Sequence, residues 1–306
     1  MDKPDKKNID DTFVSLPDKK WEASREKLKG AAVFVAGAGG GGSIIILQLA
    51  LLGVGTIKVC DFGEIDLSNL NCRFLPGEEQ VGMNKALSAQ SIVNNICPDV
   101  KVISCTQRLD RNNVFDLVGD AGIIFDTFAN SADRFILSEC AVAKGIPHVI
   151  ISTSGMGAYA AVFFAPKTAC YHCVFDKKKL EIIISGMREN VKNYRKNKLP
   201  SASTSLSIGA GIAINAALEI LLDFNNPGYN TFFYFNQEGR SGNFGHTIDY
   251  KAMTHLFSDH FRQLCKEQGF DWNIGRGRKY MEELTITADP DCLLCGKKAE
   301  SGNKRS

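Results

Sequence analysis

The sequence has neither a long apolar run nor an apolar leader. No run reaches the roughly 18 residues that a membrane-spanning helix needs, and the first residues, MDKPDKKNIDD, lack the apolar centre of a signal peptide. Internal repeats and low-complexity tracts are absent too, which excludes a repeat architecture. These absences predict a cytoplasmic protein that is not bound to a membrane.

The sequence also lacks an excess of either charge. Its 36 basic residues are matched by 34 acidic ones, and the net charge of +2 argues against a general attraction to nucleic acid or anionic membranes. With 306 residues, of which 44% are hydrophobic, the chain can bury a substantial core in one large α/β domain or two small ones. Its ten cysteines fit a cytoplasmic protein if they are thiols or metal ligands.

A glycine-rich turn between two apolar segments organises the first half of the chain. The short run 31–36 predicts a strand, and the apolar segment 44–52 predicts a helix. A second short strand, 56–60, ends in Asp61, about 20 residues beyond the glycines, where a carboxylate can hold a ribose hydroxyl. This order of elements predicts a nucleotide site, and a tight turn without a ligand is the alternative.

The glycines suit such a site for two physical reasons. Residues without a Cβ atom adopt positive φ angles and let a phosphate approach the backbone N–H groups. A helix that begins near Gly42 also directs the positive end of its dipole towards the anion. The candidate nucleotide-binding residues in the turn are Gly37, Gly39, Gly40, Gly41, Gly42 and Ser43.

Short β-branched runs alternate with helical patterns as far as residue 152. The runs 100–105, 122–126 and 148–152 predict strands, and 112–118 and 131–144 predict the helices between them. This alternation is typical of a Rossmann-like, doubly wound α/β fold with a mostly parallel sheet and helices on both faces.

The pattern changes beyond residue 152. The small and aromatic run 157–165 predicts antiparallel strands at the sheet edge, whereas the densely charged stretch 176–204 predicts a mobile crossover segment. Residues 205–222 then form an apolar helix with almost no polar face, which must be buried in the core or against a second subunit. A homodimer is therefore expected.

The ends of the chain set the expected domain boundaries. Residues 1–20 are charged and poor in apolar periodicity, which predicts a flexible segment. Residues 297–306 are expected to be disordered. We expect a single domain over 21–296.

Two cysteine pairs carry a second chemical signal. Cys170 and Cys173 form one C-x-x-C turn, and Cys292 and Cys295 form another. Each turn directs two sulfurs at one point, and two turns complete a tetrahedral thiolate site of the structural zinc type. Thioredoxin-like redox chemistry is the rival explanation for a single pair.

The order and spacing of these motifs resemble one enzyme family. GAGGGGS, DFGEIDLSNLN, GMNKALSA and DTFANSADR, with paired C-x-x-C motifs and a charged crossover before a buried helix, look like the ThiF/MoeB/HesA adenylyltransferases, relatives of the ubiquitin-activating enzymes. The resemblance covers roughly residues 22 to 223 and the last cysteine pair. It implies a homodimer that joins AMP to the C-terminal carboxylate of a ubiquitin-like sulfur-carrier protein or a short peptide and releases pyrophosphate.

The resemblance also implies roles for particular residues. The glycine turn and Asp61 hold ATP, while Asn69, a following arginine and Lys85 contact its phosphates. An aspartate in a DN motif binds magnesium. The implied cofactors are ATP, Mg²⁺ and a structural Zn²⁺.

Three positions depart from the family pattern. The usual NLNRQ reads NLNCR, so that Cys72 replaces the arginine and Arg73 follows it, and the leucine of GGLGS is Gly41. The aspartate of the DN motif is Ala129, which leaves Asp126, at the predicted strand end, to reach the metal directly or through water. The alternative is a catalytically silent member that binds a peptide or carrier as a scaffold. The catalytic candidates are Arg73, Lys85 and Asp126.

Overall fold

An eight-stranded sheet runs through the part of the chain that the structure describes. This computed structural model describes residues 20–67, 70, 77–128, 131–154, 157–165, 167–176, 203–222, 231–236, 258–269 and 281–296. The strands are β1 (Ala32–Ala36), β2 (Thr56–Cys60), β3 (Lys101–Cys105), β4 (Ile123–Asp126), β5 (His148–Ser154), β6 (Gly157–Phe163), β7 (Thr231–Asn236) and β8 (Met281–Thr285). They lie in the order β3-β2-β1-β4-β5-β6-β7-β8.

The sheet is parallel in its first part and antiparallel in its second. β1 pairs in parallel with β2 and β4, β2 with β3, and β4 with β5, whereas β5, β6, β7 and β8 pair antiparallel. This confirms the predicted mostly parallel sheet with antiparallel edge strands. From β1 the chain first adds β2 and β3 on one side and later adds β4 and β5 on the other. Where the two directions diverge, a crevice forms beyond the carboxyl ends of the strands, and α/β proteins bind ligands there.

Eight helices are described, and most were expected from the sequence. They are α1 (Lys20–Gly30), α2 (Gly40–Leu51), α3 (Lys85–Ile96), α4 (Val114–Val118), α5 (Ser131–Lys144), α6 (Tyr171–Val174), α7 (Ser203–Leu221) and α8 (Asp259–Glu267). α2 begins before the expected Gly42, because glycine is a poor helix former and hides a helix start in the sequence. Asn84 caps α3 by accepting the N–H groups of Ala86 and Leu87 at 2.9 and 3.2 Å.

Helices cover both faces of the sheet, as predicted. Successive strand residues point to opposite faces, so that Val35 and Phe125 join a core with α2, α3 and α7. Phe34 and Ile124 join the core on the other face, which Leu137 of α5 and residues of α4 complete. The central strands β1 and β4 read as continuous apolar runs because both of their faces are buried.

The apolar helix α7 packs against β5, β6 and α2 in the core of the described chain. Half-buried Ile212 also packs against this core, whereas Asn215 is exposed. By length and composition alone α7 is also apolar enough to cross a membrane, a test that buried core helices equally pass. A search for an uninterrupted apolar run does not reveal α7, because serine, asparagine and glutamate interrupt its apolar residues.

Some predictions lie wholly or mostly outside the described residues. They concern the flexible segment 1–20, the mobile crossover 176–204 and the disordered tail 297–306, of which only residues 20, 176, 203 and 204 are described. The extent of the single domain and the cytoplasmic location also stay predictions.

Candidate functional site

The glycine turn joins β1 to α2 through two positions that admit no side chain. Gly37 has a φ of +96°, and a Cβ atom there would lie 2.6 Å from the Thr127 hydroxyl oxygen. A Cβ atom on Gly42 would lie 1.9 Å from the Gly37 carbonyl oxygen. The helix can therefore begin directly above the strand end only because both residues are glycine.

The remaining residues of the turn differ in what they face. A Cβ atom on Gly39 would have no neighbour within 4 Å, so this side of the turn is open. A Cβ atom on Gly41 would lie 2.5 Å from Ile151 Cδ1, and the Ser43 hydroxyl donates to the Gly40 carbonyl at 2.8 Å. Gly41 and Ser43 therefore point inwards, and the Ser43 N–H is already donated to the Gly39 carbonyl at 2.8 Å. The first turn of α2 contains no acidic residue, so the positive end of its dipole stays available to an anion.

Asp61, directly after β2, fixes the glycine turn by hydrogen bonds. Its Oδ2 accepts the Ala38 N–H at 2.8 Å, and its Oδ1 accepts the Gly63 N–H at 2.8 Å. An ionised carboxylate can accept about four hydrogen bonds, so two remain for ligand hydroxyls. The predicted ribose-binding residue thus lies beside the turn and also fixes its shape.

Lys85 lies beside Asp61 because the loop after β2 is tied to the start of α3. The Lys85 N–H donates to the Gly63 carbonyl at 2.9 Å, and the Asn84 side chain donates to the Asp61 carbonyl at 2.9 Å. A Cβ atom on Gly63 would lie 3.0 Å from Lys85 Nζ and 3.2 Å from Asp61 Oδ1. The sequence analysis missed Gly63 and Asn84, although an asparagine just before a helical pattern is a recognisable cap signal.

The segment after β4 forms a further wall of the turn. The Thr127 hydroxyl lies 2.9 Å from the Ala36 carbonyl and 3.1 Å from the Gly37 carbonyl. The Phe128 ring approaches within 3.3 Å of the position of a Cβ atom on Gly37. Both residues were missed, because no motif distinguishes a threonine hydroxyl that binds a strand end from one that faces solvent.

Asp126, at the end of β4, is hydrogen-bonded within the chain. It is fully buried, its Oδ2 lies 3.0 Å from His148 Nε2, and its Oδ1 accepts the Phe128 N–H at 3.0 Å. Arg134 Nε is 3.9 Å away. The predicted metal-binding role of Asp126 stays a prediction.

Four of the residues discussed in the sequence analysis are not described. They are Asn69, Cys72, Arg73 and Ala129. Their expected positions beside the phosphates stay predictions.

The two cysteine pairs meet although 122 residues separate them in the chain. All four sulfurs lie within 4.8 Å of one another, and the Cys170–Cys173, Cys170–Cys292 and Cys173–Cys295 sulfurs are 3.8, 3.6 and 3.4 Å apart. Four sulfurs placed about 2.3 Å from a zinc ion would be about 3.8 Å apart. The donor set therefore fits a tetrahedral metal ion.

A backbone N–H group and the other thiols of this cysteine cluster contact its sulfurs. The Asp289 N–H donates to Cys173 Sγ at 3.3 Å. Hydrogen bonds with Cys170 lower the pKa of both Cys292 and Cys295, whereas the hydrogen bond with Cys173 helps to raise the pKa of Cys170. Gly296 ends the second turn, where a Cβ atom would lie 2.6 Å from the Cys292 carbonyl oxygen.

Comparison with known proteins identifies the family. Residues 16–252 match the ThiF family. The chain belongs to the ThiF family. This confirms the resemblance drawn from the motifs.

Curated relatives of this ThiF-family chain are named adenylyltransferases. It is 34% identical over 164 residues to the adenylyltransferase and sulfurtransferase UBA4 of Kluyveromyces lactis, covering 53% of this chain and 37% of that protein. It is 38% identical over 140 residues to the probable adenylyltransferase/sulfurtransferase MoeZ of Mycobacterium tuberculosis, covering 46% of this chain and 36% of that protein. The chain thus spans little more than a third of the length of these relatives.

The fold resembles that of a solved enzyme. Escherichia coli MccB, in complex with MccA-N7isoASN, superposes with a TM-score of 0.66 and 17% identity, covering 90% of this chain and 69% of MccB. MccB structures with ATP have also been solved. At this identity the similarity concerns the fold alone.

Proposed function

We propose that this chain adenylates the C-terminal carboxylate of a ubiquitin-like sulfur-carrier protein or a short peptide, using ATP and releasing pyrophosphate. One observation carries the proposal: the open N-terminus of α2, braced by Asp61 and flanked by the Lys85 ammonium, forms a site for a polyphosphate. The ThiF family and the names of the relatives support the same activity.

The described residues suggest how such a reaction proceeds. The N–H groups of the glycine turn and Lys85 neutralise phosphate charge, and Asp61 accepts a ribose hydroxyl. An oxygen of the acceptor carboxylate then attacks the α-phosphorus, and the bond to the β-phosphate breaks as pyrophosphate leaves. This chemistry depends mainly on positioning and electrostatic stabilisation. Asn69 and Arg73 are proposed to add phosphate contacts.

Magnesium is the least supported cofactor of this proposal. Ala129 offers no ligand, and Asp126 is enclosed by His148 and Arg134. We propose that Mg²⁺ enters bound to ATP phosphate oxygens.

The proposed class of acceptor carboxylate is supported by the names of the relatives. MccB has been solved in complex with MccA, and UBA4 and MoeZ are named sulfurtransferases as well as adenylyltransferases. A ubiquitin-like sulfur carrier or a short peptide fits these names.

A second candidate function follows from the enclosure of Asp126. If that carboxylate stays bound within the chain, then with alanine at position 129 the site can bind a nucleotide but loses a metal ligand that the family uses in turnover. Losing such a ligand removes several kcal/mol of transition-state stabilisation. The chain would then act as a scaffold for a carrier or peptide.

Exchange of labelled pyrophosphate into ATP, measured with a panel of carrier proteins and peptides, tests the proposed reaction. We expect Lys85→Ala to lower the exchange rate by roughly a hundredfold, because a cation beside the phosphates is lost. Lys101→Ala, on exposed β3, is the matched control and should exchange normally. Ala129→Asp should increase magnesium-dependent exchange.

Two results would contradict the reaction. If Lys85→Ala exchanges as fast as the unsubstituted chain, phosphate binding lies elsewhere. If ATP binds but neither the unsubstituted chain nor Ala129→Asp exchanges with any acceptor, the scaffold function is favoured.

We propose that the cysteine cluster holds a structural zinc ion that ties residues 292–295 to residues 170–173. The purified chain should contain about one zinc ion per subunit by elemental analysis. Cys292→Ala combined with Cys295→Ala should abolish the metal, whereas Cys97→Ala, outside the cluster, should retain it. Full metal content in the double variant would exclude this cluster as the site.

We also propose a homodimer, supported by the resemblance to the ThiF/MoeB/HesA enzymes and by half-buried Ile208 of α7, which is not among the residues packed against the described core. The opposite face of α7 is buried in that core. Sedimentation velocity at micromolar concentration should report the dimer mass, and a stable monomer would refute the proposal.

A further inference from the structure

One buried arginine connects three neighbouring parts of the sheet next to the glycine turn. Arg134, at the start of α5, is only 5% exposed. Its Nε and Nη2 donate to the Phe128 carbonyl at 2.9 and 2.6 Å, Nη2 also donates to the Ile151 carbonyl at 3.0 Å, and Nη1 donates to the Tyr159 hydroxyl at 2.8 Å. These partners follow β4 or belong to β5 and β6, where the parallel part of the sheet meets the antiparallel part.

The charge of this arginine is maintained despite its burial. Burial alone would lower the pKa of Arg134, but Tyr159 and Asp126 raise it above the ordinary value. A buried guanidinium in a fixed fork geometry makes strong, directional hydrogen bonds to carbonyl groups. Arg134 and its partners Phe128, Ile151 and Tyr159 therefore form a rigid unit, called the clamp below.

The clamp fixes the backbone of Phe128. Its carbonyl accepts two N–H groups of Arg134, and its own N–H donates to Asp126 at 3.0 Å. Both sides of one peptide segment are thus fixed. The adjacent Thr127 hydroxyl contacts the carbonyl of Gly37, so the fixed segment forms one wall of the glycine turn.

We propose that Arg134 is a positioning residue for the nucleotide site: it holds the segment 127–128 against the glycine turn through the Phe128 carbonyl. This role rests on the proposed function, because the glycine turn is taken as the ATP site. Arg134 touches no ligand itself. It acts through the wall that the segment provides.

The variant Arg134→Lys tests the role. A lysine ammonium cannot contact the Phe128 carbonyl, the Ile151 carbonyl and the Tyr159 hydroxyl in the same fork geometry. We expect hydrogen exchange at the Thr127 and Phe128 amides to accelerate by at least about tenfold, and the dissociation constant for ATP to rise by a similar factor. Val93→Ala, a core truncation in α3 outside the contacts of Arg134, should lower the melting temperature without either effect.

Amide exchange and ATP affinity together distinguish this role from a loss of overall stability and from a failure of the proposed function. Unchanged amide exchange and ATP affinity in folded Arg134→Lys would overturn the proposal. If that variant does not fold, Tyr159→Phe, which removes one contact of the clamp, decides: a several-fold rise in exchange at residues 127 and 128 supports the role, and no rise overturns it. If the unsubstituted chain binds no ATP, the proposed function fails, while the exchange measurement still decides the role of Arg134.

Discussion

The candidate site depends on one close contact, between the backbone of Gly42 in α2 and the carbonyl of Gly37. A Cβ atom at position 42 would lie 1.9 Å from that oxygen, closer than any two such atoms can approach. The absence of a side chain lets the helix begin directly over the end of β1. Its unpaired N–H groups are thereby brought to the crevice beyond the strands, where an anion can accept them.

The neighbouring strands then fix the turn from two sides. From β2, Asp61 accepts the Ala38 N–H. From the end of β4, the Thr127 hydroxyl contacts the Gly37 carbonyl, and Arg134 clamps the next residue, Phe128. The polar groups that shape the site are therefore satisfied within the chain, and the positive end of α2 and Lys85 supply the charge for a phosphate.

Much of this architecture follows from local patterns. The β-branched runs predict the parallel strands because each is short, buried on both faces and separated by a helical pattern. The two C-x-x-C turns predict the cysteine cluster, since four thiolates at one point are a metal-site pattern even when the pairs lie far apart in the chain. The glycine turn and Asp61 also lie together as predicted.

What the sequence did not reveal depends on the direction in which side chains point. Asp126 follows an apolar run like a catalytic carboxylate, but its position on the strand turns it towards His148 and Arg134. Gly41 belongs to the glycine motif, yet it faces Ile151 in the core. Gly63 and Arg134 lie within the motifs DFGEIDLSNLN and DTFANSADR, but their contacts arise only when distant segments meet.

The affinity of the chain for ATP, measured by calorimetry in Gly42→Ala and in Gly30→Ala, tests the central contact most directly. A Cβ atom at Gly30 would have no neighbour within 4 Å, so Gly30→Ala should bind ATP like the unsubstituted chain. Gly42→Ala should push α2 off the turn, raising the dissociation constant by at least about tenfold and lowering the free energy of unfolding by about 1–3 kcal/mol. If Gly42→Ala keeps both the ATP affinity and the stability of the unsubstituted chain, this account of the site is wrong.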